Sequence, residues 1–367
     1  MGKFRKAFRR LADPRAANAR HDLLEILVIA LAAVLCGAEN CADMAEFGQA
    51  KEGLLRLCLR LEHGIPSHDT FSRVFRLLRP EAFEAAFRRF MAAFAKANQL
   101  NLTGVVAIDG KALRGAFERG SRTEPLHMVN VWAVEARMSL AQQKAAGRNE
   151  TAGALEVLEL LSLEGCIVTA DALHCHRAMA KTVLERGGDY VLAIKANRGP
   201  LFRAVVGQFA RSGKRSIAKK VEPSTHDRHE ARRATIMRNT SLATVHGFPG
   251  VVAIGRVTSR RRLHGNRAEA PVMRYYLLSK PMSAKRLLHV TRSHWTIENQ
   301  LHWVLDVHFD EDGSRTRMDN APENLAILRR LALNILRSHP HNASIRRKIK
   351  RAGWDDAFLT AMLSHMR

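Results

Sequence analysis

A chain of 367 residues with 46% hydrophobic content can bury one full core with smaller attachments, so two or three structural units are expected. Lys and Arg outnumber Asp and Glu by 59 to 35, a formal charge of +24, which favours nucleic acid as a polyanionic partner, with a polybasic membrane-surface protein as the rival reading. The five cysteines, Cys36, Cys41, Cys58, Cys166 and Cys175, are odd in number and lack C-x-x-C spacing; this weighs against a structural zinc site and fits a reduced cytoplasmic interior.

The apolar stretch Leu23 to Gly37 follows a basic start and superficially resembles a signal peptide. Glu25 interrupts it, and the run is shorter than the roughly 20 residues a bilayer needs, so a buried helix is expected. From Asp22 to Asn98 apolar residues recur three and four apart, with breaks at Gly37, Gly64 and Pro66, predicting a separate helical domain over 1–98. Within it, Ser67 is placed to cap a helix carrying Asp69, Arg73 and Arg76. That helix reads equally as a helix-turn-helix-like DNA contact and as an ordinary amphipathic helix.

Between Val105 and Lys195 the signals change to short β-branched runs alternating with helices. Strands are expected at 105–108, 128–134, 138–143, 166–169 and 190–194, with helices at 151–161 and 174–185, giving the order βββαβαβ of an α/β core over 99–198. A very basic segment, 199–282, shows strands near 251–256 and 273–278 and reads as an inserted β-rich subdomain. Its cluster Arg260, Arg261 and Arg262, with Arg256 and Arg267 nearby, either grips a DNA backbone or forms a solvated face. Helices resume over 283–367: one from Ser283 through His294 to Leu305, one from Pro322 to Arg337, and a basic tail from Ser344.

Asp109 follows an apolar strand and precedes Gly110, so its carboxylate is expected to project from a strand end where a glycine lets a ligand approach, and Asp171 ends a second such strand 62 residues later. If the strands are neighbours, the two carboxylates repel each other and lose solvation, a cost that a hard divalent cation relieves. Each aspartate taken alone also fits a turn or a helix cap. Glu298 lies on an aromatic-rich helix between Trp295 and Trp303, where partial burial is expected, and shares a face with His294 and His302 at four-residue spacing. His174-Cys175-His176 is expected to begin a helix, on which positions two apart point away from each other, so no shared ligand set is expected. No P-loop and no G-x-S-x-G elbow is present, and nothing suggests an organic cofactor.

Five segments in order, Gly64 to Phe71, Ile108 to Gly115, Thr169 to Ala172, Tyr190 to Lys195 and His294 to Trp303, continued by Leu305 to Asp312 and Asn320 to Ala326, resemble insertion-sequence transposases of the H-repeat-associated (ISAs) family along almost the whole chain. The resemblance implies a ribonuclease H-like core, a mixed sheet flanked by helices, with a β-rich insertion before the last acidic helix and a helical N-terminal domain. It also implies that Asp109, Asp171 and Glu298 form a D-D-E triad, the last two 127 residues apart, holding two Mg²⁺ or Mn²⁺ ions. Where the wider transposase group carries Tyr, Arg and Lys around its glutamate, this chain has Thr291, His294 and Leu305, so roles tied to those positions are not carried over.

On this reading Asp109 bridges the two ions, Asp171 and Glu298 hold one each, and water cuts DNA to expose a 3′-hydroxyl that attacks target DNA. The expected partners are double-stranded DNA, as terminal inverted repeats and target, and further copies of the chain, in the cytoplasm on the nucleoid. Lys111, Arg114 and Lys195 are candidates to bind phosphates beside the metals or to balance local acidity, and Arg292 and His294 are candidates for DNA contact. A catalytically silent relic kept for DNA binding, and a stand-alone nuclease with the same core, are the alternatives.

Overall fold

Residues 2–117, 124–211, 215–221, 229–262 and 269–366 are described by a computed structural model. Six helices come first: α1 (Gly2–Phe8), α2 (Leu23–Leu35), α3 (Cys41–Ala50), α4 (Glu52–Leu55), α5 (His68–Leu77) and α6 (Pro80–Ala97). The cap of α2 is Asp22, whose side chain accepts from the Glu25 amide, and all its residues except Leu24 and Glu25 are buried. At 13 residues it is about 20 Å long, well short of a bilayer. Glu25 accepts from the amides of Arg60 and Leu61 and so satisfies the backbone of a turn in which Leu61 takes a positive φ of 48°. Ser67 caps α5, as its sequence position predicts.

The core alternates strands and helices: β1 (Gly104–Phe117), β2 (Pro125–Ala133), β3 (Met138–Lys144), α7 (Glu150–Glu159), β4 (Cys166–Ala170), α8 (Arg177–Glu185) and β5 (Asp189–Ile194). This is the expected βββαβαβ order. β1 pairs antiparallel with β2 and parallel with β4, and β4 pairs parallel with β5. There follow α9 (Gly199–Ala210), β6 (Ser216–Val221), β7 (His229–Arg238), α10 (Ser241–Val245), β8 (Ala253–Arg262) and β9 (Val272–Leu278). The four later strands do not close into a sheet of their own. β9 pairs antiparallel with β5, giving one nine-stranded sheet in the order β3-β2-β1-β4-β5-β9-β8-β7-β6.

The chain ends in helices: α11 (Ala284–His294), a π-helical turn over Ile297–His302, α12 (Trp303–Phe309), α13 (Ala321–Ser338), α14 (Ile345–Trp354) and α15 (Asp356–His365). The N-terminal helices share one apolar cluster with α13 to α15 and with Ala107, Trp132 and Met138 of the sheet, so 1–98 does not pack as a separate globule. Phe83, Phe87, Phe90 and Phe94 form the buried stripe of α6, and the rings of Phe4 and Phe8 lie edge-on to Phe90 and Phe83. α13 also covers the free edge of the sheet, where Asn334 both accepts from and donates to the Ser139 backbone of β3. Helices α7, α8 and α9 cover the opposite face. Alternation along β1 follows: Val106 and Ile108 join that second cluster, whereas Ala107 lies on the face carrying α13.

Candidate active site

Register places the two aspartates. Ile108 pairs with Ala170 across the parallel β1/β4 ladder, so Asp109 and Asp171 occupy the next position on each side. By alternation both share a face with Ala107 and Thr169, the face carrying the His294–His302 segment. Asp109 does not project from a strand end as its sequence position suggested. β1 continues to Phe117 because β2 goes on pairing with it, from Asp109 opposite Asn130 to Leu113 opposite Leu126. Nor is Gly110 an opening for a ligand, because its side-chain space on the opposite face is filled: a methyl group there would meet the Glu150 carboxylate at 2.5 Å. Glu150 in turn lies 3.1 Å from His127 Nδ1.

The third carboxylate comes from an irregular helix. α11 stops at His294, and the next turn is π-helical, so the expected continuous helix from Ser283 to Leu305 is broken. Thr296 stands at the break, donating its hydroxyl to Ser293 O and accepting the indole N–H of Trp132 at 3.2 Å. Glu298 is exposed, not partly buried as expected, because both flanking indoles are themselves turned outward, Trp295 by 40% and Trp303 by 54%, while Ile297 and Leu301 enter the core from the other side of the turn. His294 reaches Thr169 Oγ1 at 3.3 Å, and His302 lies 3.7 Å from Asp109 Oδ2 and 3.5 Å from the Asn130 amide.

Burial first, then the charges of Glu298, Asp171 and Glu150, push Asp109 up to about 7. Its neighbours give it no counter-charge. Burial holds His302 down at about 3 and His294 at about 4, so both imidazoles are neutral at pH 7, and the His302–Asp109 contact is not an ion pair. Asp171 is exposed, with Oδ1 accepting from the Leu173 amide. A cavity of about 250 Å³ opens beside it, lined by Asp171, Glu298, His294, Trp295, Lys195 and Arg274 among others.

Lys111 is not available to phosphate. Two residues beyond Asp109 on the same face, its ammonium lies 2.7 Å from Asp306, 2.8 Å from Asp312 and 3.4 Å from Glu311, and the residue is 7% exposed. Behind it, Arg330 donates to Glu311 at 2.7 Å and to Asn130 Oδ1 at 2.7 Å, with all three residues buried. Burial alone would raise Glu311; Arg330, Lys111 and Arg329 reverse that and hold it at about 2. Sequence reasoning assigned no role to Asn130, Glu150, Arg274, Glu311 or Arg330. The one signal for the last pair was two arginines inside the apolar run of α13, downstream of the acidic run 310–312.

Arg114 and Lys195 are exposed, Arg114 with Asp312 3.5 Å from its Nε. Arg292 is exposed on α11. Arg260 is exposed on β8, and Arg261 faces Glu230 at 3.6 Å. The side chain of Arg262 and all of Arg267 lie outside the described residues, and Arg256 stacks on Phe209 at 5.0 Å. His174 and Cys175 are buried ahead of α8, which begins only at Arg177, so the helical spacing expected for them does not apply. Among the described residues no disulfide joins the cysteines.

Among the described residues no three His, Cys, Asp or Glu side chains already converge as an ion cage, and no helix is long and apolar enough to cross a membrane. The donor set nonetheless suits a hard divalent cation: carboxylate oxygens in mutual repulsion, two of them on exposed side chains free to adjust.

Comparison with known proteins agrees with this architecture. Residues 101–335 match the family described as the transposase DDE domain, and residues 5–91 match the region described as DDE_Tnp_1-associated. The "Putative transposase YncI" of Escherichia coli O157:H7 is 32% identical over 353 residues, 94% of this chain and 90% of the relative. The "H repeat-associated putative transposase YhhI" of Escherichia coli strain K12 is 30% identical over 353 residues, 94% and 93% of the two chains. An "Uncharacterized protein in dhlA 3'region" of Xanthobacter autotrophicus is 40% identical over 265 residues, covering 70% and 88%.

Proposed function

The chain belongs to the DDE transposase family, and on that premise we propose that it cuts DNA at the ends of a mobile element and joins the freed 3′-hydroxyl to target DNA, with Asp109, Asp171 and Glu298 as its catalytic carboxylates. The observation that carries this reading is the register of β1 and β4, which sets Asp109 beside Asp171 on the face where the charge of Glu298 bears on Asp109. Mg²⁺ or Mn²⁺, in a pair held by these three residues, would supply positive charge at the entering and leaving oxygens of an in-line displacement.

The chain's own groups then orient and bind. The Leu173 amide fixes one oxygen of Asp171, so the other side of that carboxylate faces the cavity. His294 and His302, neutral at pH 7, add no charge that competes for the carboxylates. Lys195 and Arg274, on the cavity wall, bind the phosphate being cut and its neighbour. Water and the 3′-hydroxyl are the two nucleophiles, so no Ser, Tyr or Cys nucleophile is required. Arg114 and Arg260 hold flanking duplex backbone, and two or more copies assemble on paired inverted repeats.

The test uses purified protein and DNA carrying the inverted repeats that bracket its gene, with Mg²⁺ or Mn²⁺, comparing the parent with Asp171→Ala. Joined products that disappear in the variant support the proposal. Cleavage without joining makes the chain a nuclease, and binding without either reaction makes it a relic.

A further inference from the structure

A second cavity, of about 860 Å³, lies next to the acidic one, and Trp295 lines both. Its charged walls come from four separate parts of the chain: the turn after β2, with Glu135 and Arg137; strand β6, with Lys219 and Lys220; strand β7, with Arg232; and helix α11, with Lys285 and Arg292. Six Lys and Arg side chains thus line it against one carboxylate; Arg232 is paired with Glu230 at 2.9 Å, and the carboxylate, Glu135, accepts from the Val105 amide at 2.8 Å and lies 3.6 Å from His289. A solvated charge run would sit along one element; here separate elements converge on one concave surface. Leu288, Val134 and the 40%-exposed indole of Trp295 give the same surface an apolar side.

We propose that this groove holds single-stranded DNA leading out of the acidic cavity, with one base stacked on Trp295. The proposal rests on reading the acidic cavity as the strand-cutting site. Cations spaced along a groove follow a phosphate backbone, and an exposed indole at its mouth offers a stacking platform. Bases in a duplex are already stacked on each other and cannot use that platform; an unpaired strand can. Arg274, its guanidinium carbon 5.8 Å from the indole ring centre and also on the wall of the acidic cavity, ties the platform to the site where a strand would be cut.

Binding is read by anisotropy of a fluorescein-labelled thymidine oligomer and of a duplex of equal length, with the full-length chain in EDTA so that nothing is cut. Trp295→Ala is expected to lose about ten-fold in affinity for the single strand, little for the duplex, with an unchanged salt slope, and Trp295→Phe to recover most of the loss. Reversing both Lys285→Glu and Arg292→Glu is expected to lose ten-fold or more and to make the log–log salt slope shallower by about 1.4. The three side chains changed, Trp295, Lys285 and Arg292, are all exposed, and matched thermal melts check the fold. Single-strand binding unchanged in Trp295→Ala overturns the proposal, as does an equal loss on duplex. The cleavage assay with Mg²⁺ or Mn²⁺ separates the two readings: if the parent never cuts DNA yet the Trp295 effect holds, the groove stands and the transposase chemistry falls; if cutting is intact and the groove variants bind normally, only the groove falls.

Discussion

Replacing Glu311 by Gln removes the central anion of the buried network behind Asp109 while keeping its shape. Glu311 is 1% exposed and its partner Arg330 is fully buried, so solvent screens little of the interaction. The carboxyl is held at about 2 against an ordinary 4.5, a difference worth about 3 kcal/mol at neutral pH. Independently, stripping one partner from a buried ion pair costs about 3–5 kcal/mol. Both routes predict a loss of about 3 kcal/mol for Glu311→Gln in urea unfolding at pH 7. Because the folded value is depressed, the contribution is complete above the unfolded value and is lost as pH falls from 4.5 toward 2. The parent should therefore weaken between about pH 5 and pH 3 more steeply than the variant. A loss under about 1 kcal/mol together with parallel pH profiles would refute the claim that this charge organises the network.

Glu84 reports the opposite sign. Burial raises it to about 8, and its Oε2 has no partner, so ionising it drains stability as pH rises from the unfolded value through 8. Glu84→Gln should be more stable than the parent by about 2 kcal/mol at pH 9, after the unpaired amide is discounted, and the gain should vanish below pH 4.5 in urea melts. Asp109→Asn removes the charge that burial, Glu298, Asp171 and Glu150 all oppose; it should raise the melting temperature in EDTA at pH 8 and abolish any further rise with Mn²⁺. In Gly115→Ala the new methyl meets Ser314 O at 2.4 Å and Asp312 O at 2.7 Å, backbone atoms that cannot swing aside, for a loss of about 1–3 kcal/mol. Gly207→Ala inside α9, with nothing within 4 Å, serves as its control and should gain about 0.5–1 kcal/mol in the same assay.

The core strands were legible because each is a short β-branched run bounded by turn residues, as at 105–108, 166–169 and 190–194. What followed Asp109 was not. The second half of β1 carries Gly110, Lys111 and Arg114, and the burial of Lys111 depends on carboxylates nearly 200 residues away. The strands of 199–282 were visible as strands, but alternation says only which residues share a face, not which edge a strand joins; pairing of β9 with β5 is a tertiary fact. Helix α9 was missed because the basic composition around it masked a helical apolar spacing at Leu201, Val205 and Phe209. The break between His294 and Ile297 was hidden for another reason: the residues read as helical throughout, and the Thr296 side chain that accompanies the break is held by an indole on β2.

Asp109 and Lys111 stand two positions apart on one face of β1, about 7 Å along the strand, close enough for one to neutralise the other. The fold prevents it. Asp306, Glu311 and Asp312 surround the ammonium of Lys111, and Arg330 satisfies the remaining charge of Glu311 while holding Asn130, the residue directly across the ladder from Asp109. His294, beside Thr169, and His302, beside Asp109, are kept neutral by burial. The buried cations Lys111 and Arg330 are thus committed to carboxylates other than Asp109, while the charges of Glu298 and Asp171 bear on Asp109 with no buried cation to offset them. A site assembled only for stability would have let Lys111 reach one residue pair back along its own strand. That it does not leaves Asp109 short of positive charge next to the cavity, which is the chemical reason the proposed divalent cation, with phosphate oxygens in its shell, suits this place.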